Sequence, residues 1–350
     1  MRICRHSRRF LQAALIACSG GMLAIAMAAP AVQPAPPASN GAGVPSAAEA
    51  QYDDLFACPT TLDHIGRVVV PVQVDGQGPF RFVIDTGASH SSISPGLVRK
   101  LGLTVSKVPL INLEGITGSA PVPAVKIGTL RAGSLVIHNT QVPVLSTPMM
   151  AGADGILGVA GFTDMTMLVD FDRNRVRLAR ELGGDVRFDY SRVHTQVVAG
   201  GLMAVPAYVG NVRVLAIIDT GSERTLGNRA LRAALHLQDE PGRPEPVTVV
   251  YGATKQVEVG HMAMSPIISV GPLRIGGVEL IYGGFHIFKV WDLEDRPAVI
   301  LGMDVLGSVD ALGFDFRRQD LFVASAGRPG RNGVQSFEDA KTTGGVKVSH

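Results

Sequence analysis

Two Asp-Thr-Gly triplets stand at residues 85–87 and 219–221, each closing an apolar run: Phe82-Val83-Ile84 before Asp85 and Ala216-Ile217-Ile218 before Asp219. One such triplet is a weak signal, because average composition yields it in roughly one chain in ten. A pair in matched surroundings says more. Two carboxylates about 3 Å apart cannot both ionise, so they share one proton and their ionisations split. Such a pair can take a proton from a water as it attacks a carbonyl and give one to the group that leaves, without metal or covalent intermediate. Asp85 and Asp219 are therefore the candidate catalytic residues, with apparent pKa values that belong to the pair.

The neighbouring residues have separable tasks. Gly87 and Gly221 lack a Cβ, which lets their N–H groups approach the carboxylates. Ser222 follows the second triplet where Ala88 follows the first. Its hydroxyl can reach the outer oxygen of Asp219, so Asp219 is expected to be the more acidic member and Asp85 to carry the shared proton.

The elements that position these residues repeat as well. Residues 70–76 lead through Asp75-Gly76 to residues 80–85, and residues 205–211 lead through Gly210-Asn211 to residues 214–219; both read as β-hairpins. Downstream, Asp154-Gly155-Ile156-Leu157-Gly158 answers Ala298-Val299-Ile300-Leu301-Gly302. Short helical segments are expected next, at 162–167 and 303–309, followed by Phe-Asp strands at 171–178 and 314–323. The remainder is short Val, Ile and Leu runs broken by Gly, Pro or Asn, an all-β pattern.

Together these motifs resemble the retropepsin and pepsin clan of aspartic proteases, over residues 62–325. The run Asp-Thr-Gly-Ala-Ser-His-Ser-Ser-Ile-Ser at 85–94 is especially similar to the retroviral-type proteases of bacteria. The resemblance implies an all-β fold with short helices, in which two pseudo-symmetric lobes, 62–182 and 190–325, form one bilobal domain around a cleft. It implies that Ile156-Leu157-Gly158 and Ile300-Leu301-Gly302 are strands crossing beside the Asp loops, and that Thr86 and Thr220 bond across the pseudo-twofold axis to the opposite lobe. Gly-tipped hairpins would cover the cleft, with Gly115, Ile116, Thr117 and Gly118 in the first flap and Tyr251 and Gly252 in the second; ordinary β-turns are the plain alternative.

The implied activity is that of an endopeptidase acting on a peptide or protein substrate, with no cofactor. Glu223 departs from the small polar residue usual at its place, which keeps open a catalytically silent, peptide-binding pseudoprotease. The short connection at 180–200 suits pairing of the lobes within one chain, a monomer, better than a dimer with four lobes.

Composition narrows the rest. Arg2, Arg5, Arg8 and Arg9 precede an apolar stretch ending in Ala26-Met27-Ala28, so residues 1–28 read as a signal peptide of an exported, periplasmic protein. A lipid anchor through Cys18 and secretion are the alternatives, and Arg8-Arg9 raises the twin-arginine route. No stable membrane span is expected in the mature form. Cleavage would leave Cys58 as the remaining thiol and move the formal charge from +2 to −2. A near-neutral chain without a basic block gives no reason to expect nucleic acid. The nine histidines show no metal spacing, and His90 reads as a surface residue. Residues 29–61 read as an Ala/Pro-rich linker and 327–350 as a disordered tail.

Overall fold

Each lobe grows from a tight hairpin. In the first, Val68–Val74 turns into Gln77–Ile84. Asp75 and Gly76 both have positive φ, which the twist of such a hairpin requires of a two-residue turn. Asp75 also accepts the Thr129 amide at 2.7 Å, tying the turn to the strand Ala124–Ala132. In the second lobe Leu202–Val209 turns into Val212–Ile218. The computed structural model describes residues 61–63, 66–105, 109–145, 150–180, 190–237, 245–324 and 334–335.

The Gly-ended strands lie where the repeat sets them. Gly155–Leu157 runs parallel to the first hairpin, with Ile84 opposite Leu157. Ala298–Leu301 runs parallel to the second, with Ile218 opposite Leu301. A short helix follows each Asp loop: Pro95–Lys100, capped by the Ser94 hydroxyl with Pro in its first turn, and Arg229–Ala234, capped by the Asn228 side chain. The sequence reading did not place these helices.

A sheet built from both lobes joins them. Thr166–Asp170 pairs with Arg175–Ala179, Ala311–Asp315 pairs with Asp320–Ala324, and the two hairpins pair with each other with Leu168 opposite Gly313. The connecting strand Ser191–His194 adds to the edge at Asp320–Ala324. Pairing of the lobes thus uses main-chain bonds within one chain. Phe162 of the first lobe stacks on Phe316 of the second with ring centroids 5.2 Å apart, so the apolar core is continuous between them.

Two local expectations are corrected. Residues 162–167 do not form a helix; a one-turn 3₁₀ segment, Val159–Gly161, precedes the strand Thr166–Asp170. β-branched and apolar residues at 166–169 are buried in the joining sheet, and that burial outweighs local helix propensity. Phe171-Asp172 is not the start of a strand but the turn of the hairpin, whereas Phe314-Asp315 ends one; the expected helix at 303–309 is present as Met303–Leu306.

The fold is mainly β with short helices, in two lobes. The leader at 1–28 and the linker at 29–61, all but its last residue, lie outside the described residues. So does the tail at 327–350, apart from Val334–Gln335, which pairs with Arg274 and Ile275. Among the described residues no helix is long and apolar enough to cross a membrane.

Candidate active site

Both Asp loops hang from the Gly-ended strand beside them by the same bonds. Asp85 N–H donates to Leu157 O and Asp219 N–H to Leu301 O, each at 3.1 Å. In return Val159 N–H reaches Ala88 O and Met303 N–H reaches Ser222 O. Ser91 Oγ accepts from Gly158 N–H and Thr225 Oγ1 from Gly302 N–H. Ser91 and Thr225 each stand six residues after their aspartate, a signal that the sequence reading passed over.

The two loops meet through their threonines. Thr86 N–H donates to Thr220 Oγ1 and Thr220 N–H to Thr86 Oγ1, both at 3.1 Å. Each hydroxyl then donates to a carbonyl of the other lobe, Thr86 to Ile218 O at 2.7 Å and Thr220 to Ile84 O at 2.9 Å. All four groups are buried, where hydrogen bonds are strong and unmade ones costly.

This lattice holds the two Asp loops face to face, each carboxyl beside the glycine of the opposite loop. Gly87 N–H donates to Asp85 Oδ1 and Gly221 N–H to Asp219 Oδ1, both at 2.9 Å. The glycines have a second reason. A Cβ on Gly87 would collide with the Asp219 carboxyl, and one on Gly221 with that of Asp85.

Burial raises both carboxyls above the ordinary range, as it must when charge is taken from water. For Asp85 the hydrogen bond with Asp219, the Gly87 amide and the Arg67 guanidinium offset part of that rise. For Asp219, only 6% exposed, the charge of Asp85 adds to it, and the amides of Gly221 and Ser222 offset less.

Ser222 touches the pair differently from expectation. Its hydroxyl donates to Arg224 O at 2.8 Å, and its N–H, not its Oγ, reaches Asp219 Oδ1 at 3.0 Å. The loop turns so tightly that the side chain folds back on its own chain while the amide points at the carboxylate. The Ser222 hydroxyl therefore does not make Asp219 the more acidic member, contrary to expectation. Glu223 is exposed, and the loop uses its carbonyl, which accepts from Asp304 N–H at 3.1 Å, so the side chain does not disturb the pair. His90 is exposed.

The two hairpins expected as flaps are formed, Ile111–Gly115 with Gly118–Val122 and Val247–Tyr251 with Val257–Met264. Their tips meet: Thr117 Oγ1 donates to Gln256 O at 2.8 Å and lies 3.5 Å from Thr254 Oγ1. Gly252 packs against the Thr117 hydroxyl and Gly115 against Ala253. Ile116 O accepts from Ile287 N–H at 3.4 Å, and Gly118 packs against Gln256. Tyr251 is outside this contact, 53% exposed. Glu114 pairs with His286 Nε2 at 2.7 Å, fastening the first hairpin to the helix His286–Val290 of the second lobe. Gln256 and His286, and the contacts that Glu114 and Thr254 make, were not foreseen, because the partners lie far away in sequence.

No curated protein matches the chain. The model of the aspartyl protease family matches it over residues 70–160 and again over residues 205–305. Each match takes in one Asp-Thr-Gly loop and the Gly-ended strand bonded to it. Matched in this way over more than half its length, with the two stretches folding to the same plan, the chain belongs to the aspartyl protease family.

Proposed function

We propose that the protein is an aspartic endopeptidase, of the retroviral type with two Asp-Thr-Gly lobes fused in one chain, and that Asp85 and Asp219 are its catalytic pair. What supports this is that the aspartates of two lobes face each other, each carboxyl against the glycine of the opposite loop, held by the Thr86–Thr220 lattice. An extended peptide between the pair and the hairpin tips would present its scissile carbonyl to a water held by the carboxyls. One carboxylate takes a proton from the water as its oxygen bonds to the carbonyl carbon, and the other carboxyl gives its proton to the carbonyl oxygen. In the second step the carboxyl that took the water's proton gives it to the amide nitrogen, which leaves as the C–N bond breaks, while the other carboxylate takes a proton back from the diol, so the pair returns to its starting state. Water and peptide become acid and amine, with no cofactor.

Each chain on this reading carries one complete site and acts alone on a peptide or protein, after export to the periplasm and removal of residues 1–28. Purified mature protein incubated with a diverse peptide pool from acid to neutral pH tests it, beside Asp85→Asn and Asp219→Asn. Cleavage by the native protein, blocked by a statine-type inhibitor and lost in both variants, is expected. Absence of cleavage at every pH, with the fold intact, would leave the peptide-binding pseudoprotease instead.

A further inference from the structure

Each Asp loop is fastened through one peptide unit of the strand beside it. In the first lobe the Leu157–Gly158 unit accepts Asp85 N–H at its oxygen and donates its own N–H to Ser91 Oγ at 3.2 Å. In the second the Leu301–Gly302 unit does the same for Asp219 N–H and Thr225 Oγ1, at 3.1 Å each. Behind that hydroxyl the lobes differ. Thr225 Oγ1 donates onward to Asp304 Oδ1 at 2.6 Å, and Thr225 N–H donates to Asp304 Oδ2 at 3.0 Å. The place of Asp304 is taken in the first lobe by Ala160. Each stands two residues beyond the glycine, and each amide bonds the carbonyl of the fourth residue after the aspartate, Ser89 O at 3.0 Å and Glu223 O at 3.1 Å.

Two further differences point the same way. Arg224 brings Nη2 to 3.0 Å from Glu279 Oε2 and Nε to 3.6 Å from Asp304 Oδ2, whereas its counterpart His90 is exposed. Ser222 Oγ donates to Arg224 O, and Ala88 has no hydroxyl to do so. A string of bonds therefore runs from Asp304 through the Thr225 hydroxyl and the Leu301–Gly302 peptide to the amide of Asp219. An ionised acceptor strengthens its end of such a string, and bonds in series polarise one another. Thr225 is fully buried, so neither its hydroxyl nor its N–H could turn to water if the carboxylate were gone.

We propose that Asp304 is a positioning residue for Asp219: bonded twice to Thr225, it clamps the second Asp loop and leaves the first, which has alanine in that place, as the loop that adjusts when substrate binds. This rests on the reading of Asp219 as one of the catalytic pair. Asp304 acts through Thr225 and the strand, not on the reacting atoms.

The test is amide hydrogen exchange, followed by NMR on the full mature chain and read at Asp219 and Gly221 against Asp85 and Gly87, beside kcat, KM and urea unfolding. Asp304→Ala removes both bonds, and Asp304→Asn keeps one acceptor. Thr225→Ser with Asp304→Ala gives the second lobe the residue types that the first carries at Ser91 and Ala160, a combination that this fold already accommodates. In this double variant exchange at Asp219 and Gly221 should quicken roughly tenfold more than at Asp85 and Gly87, and kcat should fall about tenfold with KM within about twofold of native. Asp304→Asn should recover part of both effects. A general loss of stability would quicken the two loops alike. Equal quickening of the loops, or an unchanged kcat, overturns the proposal. Exchange needs no activity: a protein that cleaves peptides while its two loops quicken alike loses this inference alone, and one whose loops differ as expected but that cleaves nothing loses only the protease reading.

Discussion

Thr86 and Thr220 each accept the other's amide and each donate a hydroxyl to a carbonyl of the opposite lobe, so four bonds at 2.7–3.1 Å bind the floors of the two Asp loops. The distance between the carboxyls is therefore a property of the threonines as much as of the aspartates.

Thr86→Val keeps the shape of the side chain and removes both its bonds. Ile218 O and the Thr220 amide would be left buried without a partner, at about 1–3 kcal/mol each. Urea unfolding should show a loss of that order. Cleavage should fall further than stability, since misplacement of reacting groups by about 1 Å can cost on the order of a hundredfold in rate. Thr86→Ser, which keeps the hydroxyl, should recover most of both.

Gly87→Ala and Gly221→Ala each drive a methyl group into the carboxyl of the opposite lobe. Either should abolish cleavage and lower the melting temperature, because the collision can be relieved only by parting the aspartates. An active Gly87→Ala protein of native stability would show that the loops are farther apart.

Asp219 also shapes stability against pH. Its folded pKa is raised, by burial first and then by the charge of Asp85, so the folded state binds its proton more tightly than the unfolded state. That contribution is complete below the unfolded value of about 3.9 and is lost as pH rises through the folded one. Asp219→Asn cannot lose a proton. Its melting temperature should match the native protein near pH 3 and exceed it at pH 7.

On the protease reading the hairpin tips, which touch through Thr117 and Gln256, serve as a latch over the substrate. Thr117→Val removes the bond to Gln256 O, worth about 0.5–1.5 kcal/mol, and should lower kcat/KM by roughly three- to tenfold. His286→Asn should do less, because the Glu114–His286 pair is a third exposed and such pairs contribute about 0.2–1 kcal/mol. Amide hydrogen exchange at residues 113–119 should quicken in both, and more in Thr117→Val.

What the sequence made readable was local or repeated. Asp85, Thr86, Gly87 and their counterparts stand in short runs whose flanks recur, and the two hairpins carry their own turn residues, so lobes and site could be placed without any tertiary contact. The direction of a single hydroxyl could not: Ser222 Oγ turns to Arg224 O because of the path of its own loop. Residues 162–167 carry no mark that distinguishes a helix from a strand, and the partner strand Ala311–Asp315 decides. Glu114 with His286, and Thr117 with Gln256, join positions far apart in the chain.

The central claim is one site per chain, made by Asp85 of the first lobe with Asp219 of the second. Peptide cleavage by Asp85→Asn, by Asp219→Asn and by an equimolar mixture of the two, each at the pH where the native protein works best, tests it most directly. All three are predicted to be inactive, because neither chain can supply the aspartate that the other lacks. Cleavage by either variant alone, or activity appearing on mixing, would contradict it.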